Sequence, residues 1–131
     1  MPVVSIVGAG KQAKKMATLL KLNNFTLHTN YFIKEKVGLS DFDQTSKNLS
    51  ELKYNHSDFI YIATEPSIQL ESLKNINSDK CFSILEKPVA LNFEHLKLIK
   101  ALFNKFNGRS VVNFPHIFDK KYQKFIKLSN N

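Results

Sequence analysis

A single cysteine, Cys81, occurs in the 131 residues, and tryptophan is absent. No disulfide can close within the chain, so stability has to come from a packed core, and a reducing cytoplasm is the expected compartment. Glycine and proline number four each, too few for a collagen-like, linker-rich or low-complexity chain. No apolar run approaches the roughly 18–20 residues that a membrane span needs. The opening MPVVSIVGAG lacks the basic and then long apolar profile of a secretion signal.

Arginine is nearly missing, with Arg109 the only one among nineteen basic residues. The net charge of +8 on its own suggests nucleic acid, because clustered cations attract phosphate. Base readout, however, favours the planar fork of arginine. The lysines are also dispersed: Lys11, Lys14, Lys15, Lys21, Lys34, Lys36, Lys47, Lys53 and onward. They read as solvated faces with a modest attraction for anionic ligands, and no nucleic-acid or membrane partner is expected.

Other chemistries lack their residues. His28, His56, His95 and His116 are scattered without metal-ligand spacing, so no metal is expected. Ser5, Ser67 and Ser83 have no G-x-S-x-G elbow. Cys81 has no histidine nearby and reads as a buried apolar thiol.

What remains is an alternation of strand and helix. Hydrophobic residues make up 43% and charged ones 23%, as in an ordinary globular domain, and the length allows one domain over 1–131. Val3–Val7 and Phe59–Ala63 are short uninterrupted apolar runs, the mark of strands buried on both faces of a parallel sheet. Ala13, Met16, Ala17 and Leu20 fall at helical spacing between them. Further strands are expected at Phe25–Ile33, Phe42–Thr45, Cys81–Leu85 and Val111–Phe114. Helices are expected near Asn48–Lys53, Ser67–Asn75, Phe93–Phe106 and Asp119–Leu128. Asn92 is the expected cap of the third of these, with Leu96, Ile99, Phe103 and Phe106 on its apolar face. The fold class is therefore α/β: a doubly wound parallel sheet of about six strands, the Rossmann fold, with helices on both faces.

Gly8-Ala9-Gly10-Lys11-Gln12-Ala13 directly follows the first strand and opens the first helix. This is the G-x-G-x-x-G/A pattern in the context it requires. Gly8 permits the tight turn, Gly10 lets the backbone approach a pyrophosphate, and Ala13 allows close helix–strand packing. The helix start then presents free N–H groups to the phosphates. The expected ligand is a dinucleotide, NAD or NADP. An acidic residue about twenty positions on usually holds the adenosine ribose. Asn30 stands there, and Lys34 lies close enough in sequence to attract a 2′-phosphate, so the choice of cofactor is open. No Lys-Ser/Thr follows the turn, which argues against a nucleotide triphosphatase.

Glu86-Lys87-Pro88 follows the fifth expected strand. A lysine at the C-terminal end of a parallel strand faces the crevice where such sheets bind ligands, and there it can move a proton. Pro88 fixes the backbone and can impose a cis bond.

Together these segments resemble the glucose–fructose oxidoreductase/inositol dehydrogenase (Gfo/Idh/MocA) family over essentially the whole chain. Val4–Gln12 is similar to its opening strand and glycine turn. Ile62-Ala63-Thr64-Glu65-Pro66-Ser67 is similar to its A-T-P-type segment beside the nicotinamide ribose. Leu85–Asn92 (LEKPVALN) resembles its C-E-K-P stretch, and Val111–Tyr122 the region leading into its second domain. The resemblance implies a catalytic Lys87 with Glu86 helping to position groups at the site. It implies cofactor contacts at Gly8, Ala9, Gly10, Lys11, Gln12, Asn30, Ala63, Thr64, Glu65, Gln69, Glu86 and Lys87. Asn30, Gln69 and Pro115-His116 depart from the family pattern. The family's C-terminal substrate domain is absent from these residues, so hydride transfer by this chain alone is not expected.

Two classes of function follow. One is the NAD(P)-binding domain of an oxidoreductase acting on a sugar or cyclitol hydroxyl or carbonyl. The other is a non-catalytic dinucleotide-binding or sensing module. Phe114, Ile117, Phe118, Phe125 and Ile126 fall where the missing domain would pack, which predicts self-association or a partner chain there.

Overall fold

Two kinds of face along the central strands organise the molecule. In the computed structural model, which describes residues 1–113 except Lys36 and Ser78, together with Lys120, Lys124, Lys127 and Leu128, the central strands alternate between two separate cores. Val4, Ile6 and Tyr61 point to one side, where Ala13 and Ala17 cover them; Val7, Ile60 and Ile62 point to the other, among Leu52, Leu73, Ile76, Ile99 and Phe106. A period of two with apolar residues on both phases is what a central parallel strand demands.

The strands are β1 (Val3–Val7), β2 (Thr26–Tyr31), β3 (Gln44–Ser46), β4 (Phe59–Ile62), β5 (Phe82–Leu85) and β6 (Ser110–Val112). They form one sheet in the order β3-β2-β1-β4-β5-β6, and every pairing is parallel. Helix α1 (Lys11–Leu22) lies on one face; α2 (Pro66–Asn75), α3 (Phe93–Lys105) and a 3-10 segment, Leu49–Tyr54, lie on the other. This is the doubly wound Rossmann arrangement expected from the sequence. The chain order reverses between β1 and β4, and ligands of such sheets bind outside the strand ends at that point. Among the described residues no helix is long and apolar enough to cross a membrane.

Several boundaries differ from expectation. The third strand is Gln44–Ser46 rather than Phe42–Thr45. It is a short edge strand of polar residues, fixed by pairing Thr29 with Gln44 and Tyr31 with Ser46, so no apolar pattern announces it. Helix α3 has the expected Asn92 cap, whose side chain accepts from the His95 N–H at 2.8 Å. Its buried face is rotated, however: His95, Ile99 and Phe106 are buried with Leu102 and Phe103 packed beside them, while Leu96 is 44% exposed. The last expected strand reaches only Val112, and Phe114 and most of the helix expected at Asp119–Leu128 lie outside the described residues. So do His116 and the expected contact residues Ile117, Phe118, Phe125 and Ile126.

One irregularity matters for the site. Opposite β1, the pairing of β2 jumps from Val4–Leu27 to Ile6–Asn30, so β2 carries one extra residue. The Thr29 N–H left over by this bulge is taken by the Ser5 hydroxyl at 3.2 Å. That hydroxyl belongs to a buried network with Ser57 and Asn55, and Asn55 also donates to the Tyr31 hydroxyl at 2.8 Å. An extra residue reverses the facing of everything after it. Leu27 and Asn30 consequently share the α1 side, and Tyr31 turns to the other.

Candidate dinucleotide site

The C-terminal ends of β1 and β4 meet in a cleft lined by Gly8, Ala9, Gly10, Ile33, Lys34, Glu35, Ala63, Thr64, Glu65 and Ile68. It encloses about 140 Å³ and is open to solvent, so it lines one stretch of an extended ligand without enclosing it. Gly8 has φ +118°, and a Cβ there would lie 2.5 Å from the Ala63 carbonyl oxygen. The turn therefore needs glycine both for its dihedral and for the close approach of two backbones. Gly10 is different: a Cβ would meet nothing within 4 Å, which leaves its backbone bare beside the cleft.

Helix α1 starts at this cleft without a side-chain cap and without an acidic residue in its first turn. Its first N–H groups are unsatisfied by side chains, which suits an anion. The Thr64 hydroxyl is buried without a hydrogen-bond partner. An uncapped helix start, a bare glycine backbone and an orphaned hydroxyl around one cleft fit a phosphate-bearing ligand.

Two of the residues expected to contact the cofactor are buried, and neither lines the cleft. Asn30 is fully buried and does not line the cleft. Its amide nitrogen donates to the carbonyls of Ile6 (3.2 Å) and Gly8 (2.8 Å), and its oxygen accepts from the Leu39 N–H at 2.7 Å. The β2 bulge turns this side chain inward beneath the glycine turn, where it braces the turn rather than offering an amide to a ribose. Gln69 is fully buried as well. Its amide nitrogen donates to the carbonyls of Thr64 (2.8 Å) and Glu86 (2.7 Å), tying the loop after β4 to the loop after β5. Replacing it, Gln69→Leu, strands two carbonyls but also removes a buried amide oxygen that has no partner. The expected net loss is about 2 kcal/mol of unfolding free energy, measured by urea denaturation.

Glu86 and Lys87 leave the end of β5 beside this strut, with Lys87 exposed and the Lys87–Pro88 bond cis. The Glu86 carboxylate receives hydrogen bonds from Tyr61, from Asn113 Nδ2 at 2.5 Å and from Gln12 Nε2 at 3.5 Å. It thus joins α1, β4 and the residue after β6. Burial, and then the Glu86 carboxylate, push the Tyr61 hydroxyl well above its ordinary pKa, so it remains a donor to Glu86. Lys11 is exposed at the helix start, and Ala63, Thr64 and Glu65 line the cleft.

Sequence reasoning missed Ile33, Glu35 and Ile68 in the cleft, and Tyr61 and Asn113 around Glu86. Tyr61 carried a usable signal: one hydroxyl in a buried aliphatic strand must find a partner. Cys81 is buried, and burial followed by the nearby Asp58 pushes its thiol up to about 12, consistent with an inert core residue. Among the described residues no group of three His, Cys, Asp or Glu side chains could hold a metal.

No family model and no curated protein matches this sequence. Solved structures do. Scyllo-inositol dehydrogenase from Lactobacillus casei, determined with bound NAD(H) and scyllo-inositol, aligns with a TM-score of 0.77 and 17% identity, covering 99% of this chain and 41% of that one. Biliverdin reductase from Synechocystis sp. PCC 6803, in complex with biliverdin and NADP+, aligns with a TM-score of 0.74 and 16% identity over 98% of this chain and 42% of that one. A probable dehydrogenase from Thermotoga maritima gives 0.75 and 17%, over 98% and 41%. The fold is the one these three structures share over the matched part of their chains. The chain spans about two fifths of the length of these proteins. At such identity the likeness carries the fold, and function has to be argued from the cleft.

Proposed function

We propose that this chain is the dinucleotide-binding domain of an NAD(P)-dependent oxidoreductase acting on a sugar or cyclitol hydroxyl or carbonyl. The observation that carries the reading is the cleft at the topological switch point. There the bare Gly8–Gly10 backbone, the uncapped start of α1 and the orphaned Thr64 hydroxyl converge. In this reading Gly8, Ala9, Gly10, Lys11 and Gln12 receive the pyrophosphate, and Ala63, Thr64 and Glu65 border the sugar. When bound, the nicotinamide supplies a hydride acceptor or donor. Lys87 stands at the substrate oxygen: as the neutral amine it takes the hydroxyl proton on oxidation, and as the ammonium it gives a proton to the carbonyl oxygen on reduction. Glu86, held by Tyr61, Asn113 and Gln12, keeps the Lys87 loop in place.

Turnover requires a covered site, because orienting a substrate and excluding water both demand one. A partner surface follows from the same need. An apolar groove lined by Val4, Met16, Leu20, Phe25, Phe59, Tyr61, Ile84 and Asn113 supports association on the α1 side.

Titration with NADH and NADPH, followed by nicotinamide fluorescence and thermal shift, tests the proposal. Saturable binding of at least one is expected, together with its loss in Gly10→Val. Absence of a response to both at millimolar ligand contradicts it.

A further inference from the structure

The ribose-holding carboxylate that β2 should supply is missing, and the structure points to where a replacement stands. Glu65, at the entry to α2, and Lys34, beyond the end of β2, both line the cleft that contains Gly8 and Gly10. Their side chains form an ion pair across it, Lys34 Nζ to Glu65 Oε2, at 2.6 Å. The Ser67 hydroxyl donates to the other Glu65 oxygen at 3.1 Å. The hydrogen bond from Lys34, followed by that from Ser67, holds the Glu65 carboxyl below its ordinary pKa, so it is ionised at neutral pH. Glu35 lines the same cleft. Among the described residues lining it, the cleft therefore sets one cation, Lys34, against two carboxylates, and that cation is already engaged.

We infer that Glu65 is the ribose-recognising carboxylate of this site and that the Lys34–Glu65 pair makes the site selective for NAD(H) over NADP(H). The inference rests on the dinucleotide reading above and extends it to cofactor choice. An unmodified ribose presents neutral hydroxyls, which donate to a carboxylate without adding charge. A 2′-phosphate adds about −1.5 to −2 charge at neutral pH and acceptor oxygens only. To meet a cation there it has to draw Lys34 away from Glu65, and it then leaves two carboxylates facing a dianion. Lys34, which by sequence position alone looks suited to a 2′-phosphate, is thus neutralised by a residue from a different strand end. Both side chains are about half exposed or more, at 64% for Lys34 and 46% for Glu65. The pair therefore adds little to stability, and exchanging either residue leaves the fold intact.

The test is a pair of fluorescence titrations, with NADH and with NADPH, on the full chain and on Glu65→Gln and Lys34→Gln. The wild type is expected to bind NADH at least tenfold more tightly than NADPH. In Glu65→Gln, with Lys34 released, that ratio is expected to fall at least fivefold, chiefly through tighter NADPH binding. In Lys34→Gln the preference for NADH is expected to persist or widen. Equal or tighter binding of NADPH by the wild type overturns the inference, as does an unchanged ratio in Glu65→Gln, while leaving the dinucleotide reading in place. Binding of neither cofactor by the wild type overturns that reading, and the inference falls with it.

Discussion

Gly8→Val is expected to cost the fold about 3 kcal/mol or more and to abolish dinucleotide binding. Two independent penalties meet at this residue. Its φ of +118° is strained for any residue with a Cβ, a cost of order 1–3 kcal/mol. The added Cβ would also lie 2.5 Å from the Ala63 oxygen and 3.2 Å from its carbon, and both belong to backbone that is anchored in the sheet. Neither strand end can retreat cheaply. The Gly8 N–H donates to Tyr31 at 2.6 Å, its carbonyl accepts from Asn30, and the Ala63 N–H donates to Val7 at 2.9 Å. Overpacking of this kind typically adds a further 1–3 kcal/mol. Gly10→Val is the informative control. It has an ordinary extended backbone, with φ −78° and ψ −170°, and open space around its Cβ. Its unfolding midpoint in urea should stay close to wild type while binding is lost. Equal stability losses in the two variants would show that the turn is not built as described.

Asn30→Asp is expected to destabilise the protein by about 3–5 kcal/mol at neutral pH, although the exchange restores the acidic residue usual at this place in the fold. The Asn30 amide nitrogen faces two carbonyls, of Ile6 and Gly8, in a fully buried position. Aspartate would present an oxygen to both, and no cation stands among its described partners. Only the bond from the Leu39 N–H could survive. For a domain of this size the loss corresponds to a fall in Tm of about 10–15 °C, readable by calorimetry. A Tm within two or three degrees (about 1 kcal/mol or less) of wild type would mean that the side chain reaches solvent and is available to a ribose after all.

These two residues also mark how far the sequence could be read. The glycine turn was legible because its chemistry is local. A buried strand, two glycines and a helical stripe occupy consecutive residues, and the structure joins them without irregularity. Strands β1, β4 and β5 were legible for a similar reason, since central parallel strands are apolar on both faces. Asn30 was not legible, because its facing depends on a bulge in β2 that no periodicity reveals. Counting about twenty residues onward arrives at the right strand but gives no warning that the side chain points under the turn.

Glu65 was legible as a cleft residue but not as the partner of Lys34. The two lie thirty-one positions apart, and only the β1–β4 switch point brings them together. Helix α3 teaches a smaller lesson. Leu96, Ile99, Phe103 and Phe106 satisfy helical spacing, yet burial chose His95 over Leu96. The apolar stripe was wide enough to permit either rotation, and packing against α2 and the sheet decided. The cluster around Glu86 draws Gln12 from α1, Tyr61 from β4 and Asn113 from just after β6, and residue spacing carries no trace of it.

Amide chemical-shift mapping of the labelled chain during titration with NADH tests the central claim most directly. The account predicts saturable shifts concentrated at Gly8, Gly10, Lys11, Gln12, Ala63, Thr64 and Glu65, the residues around the switch-point cleft. Saturable shifts gathered instead along the apolar groove of Met16, Leu20, Phe25 and Phe59, or no saturable shifts at all, would contradict it.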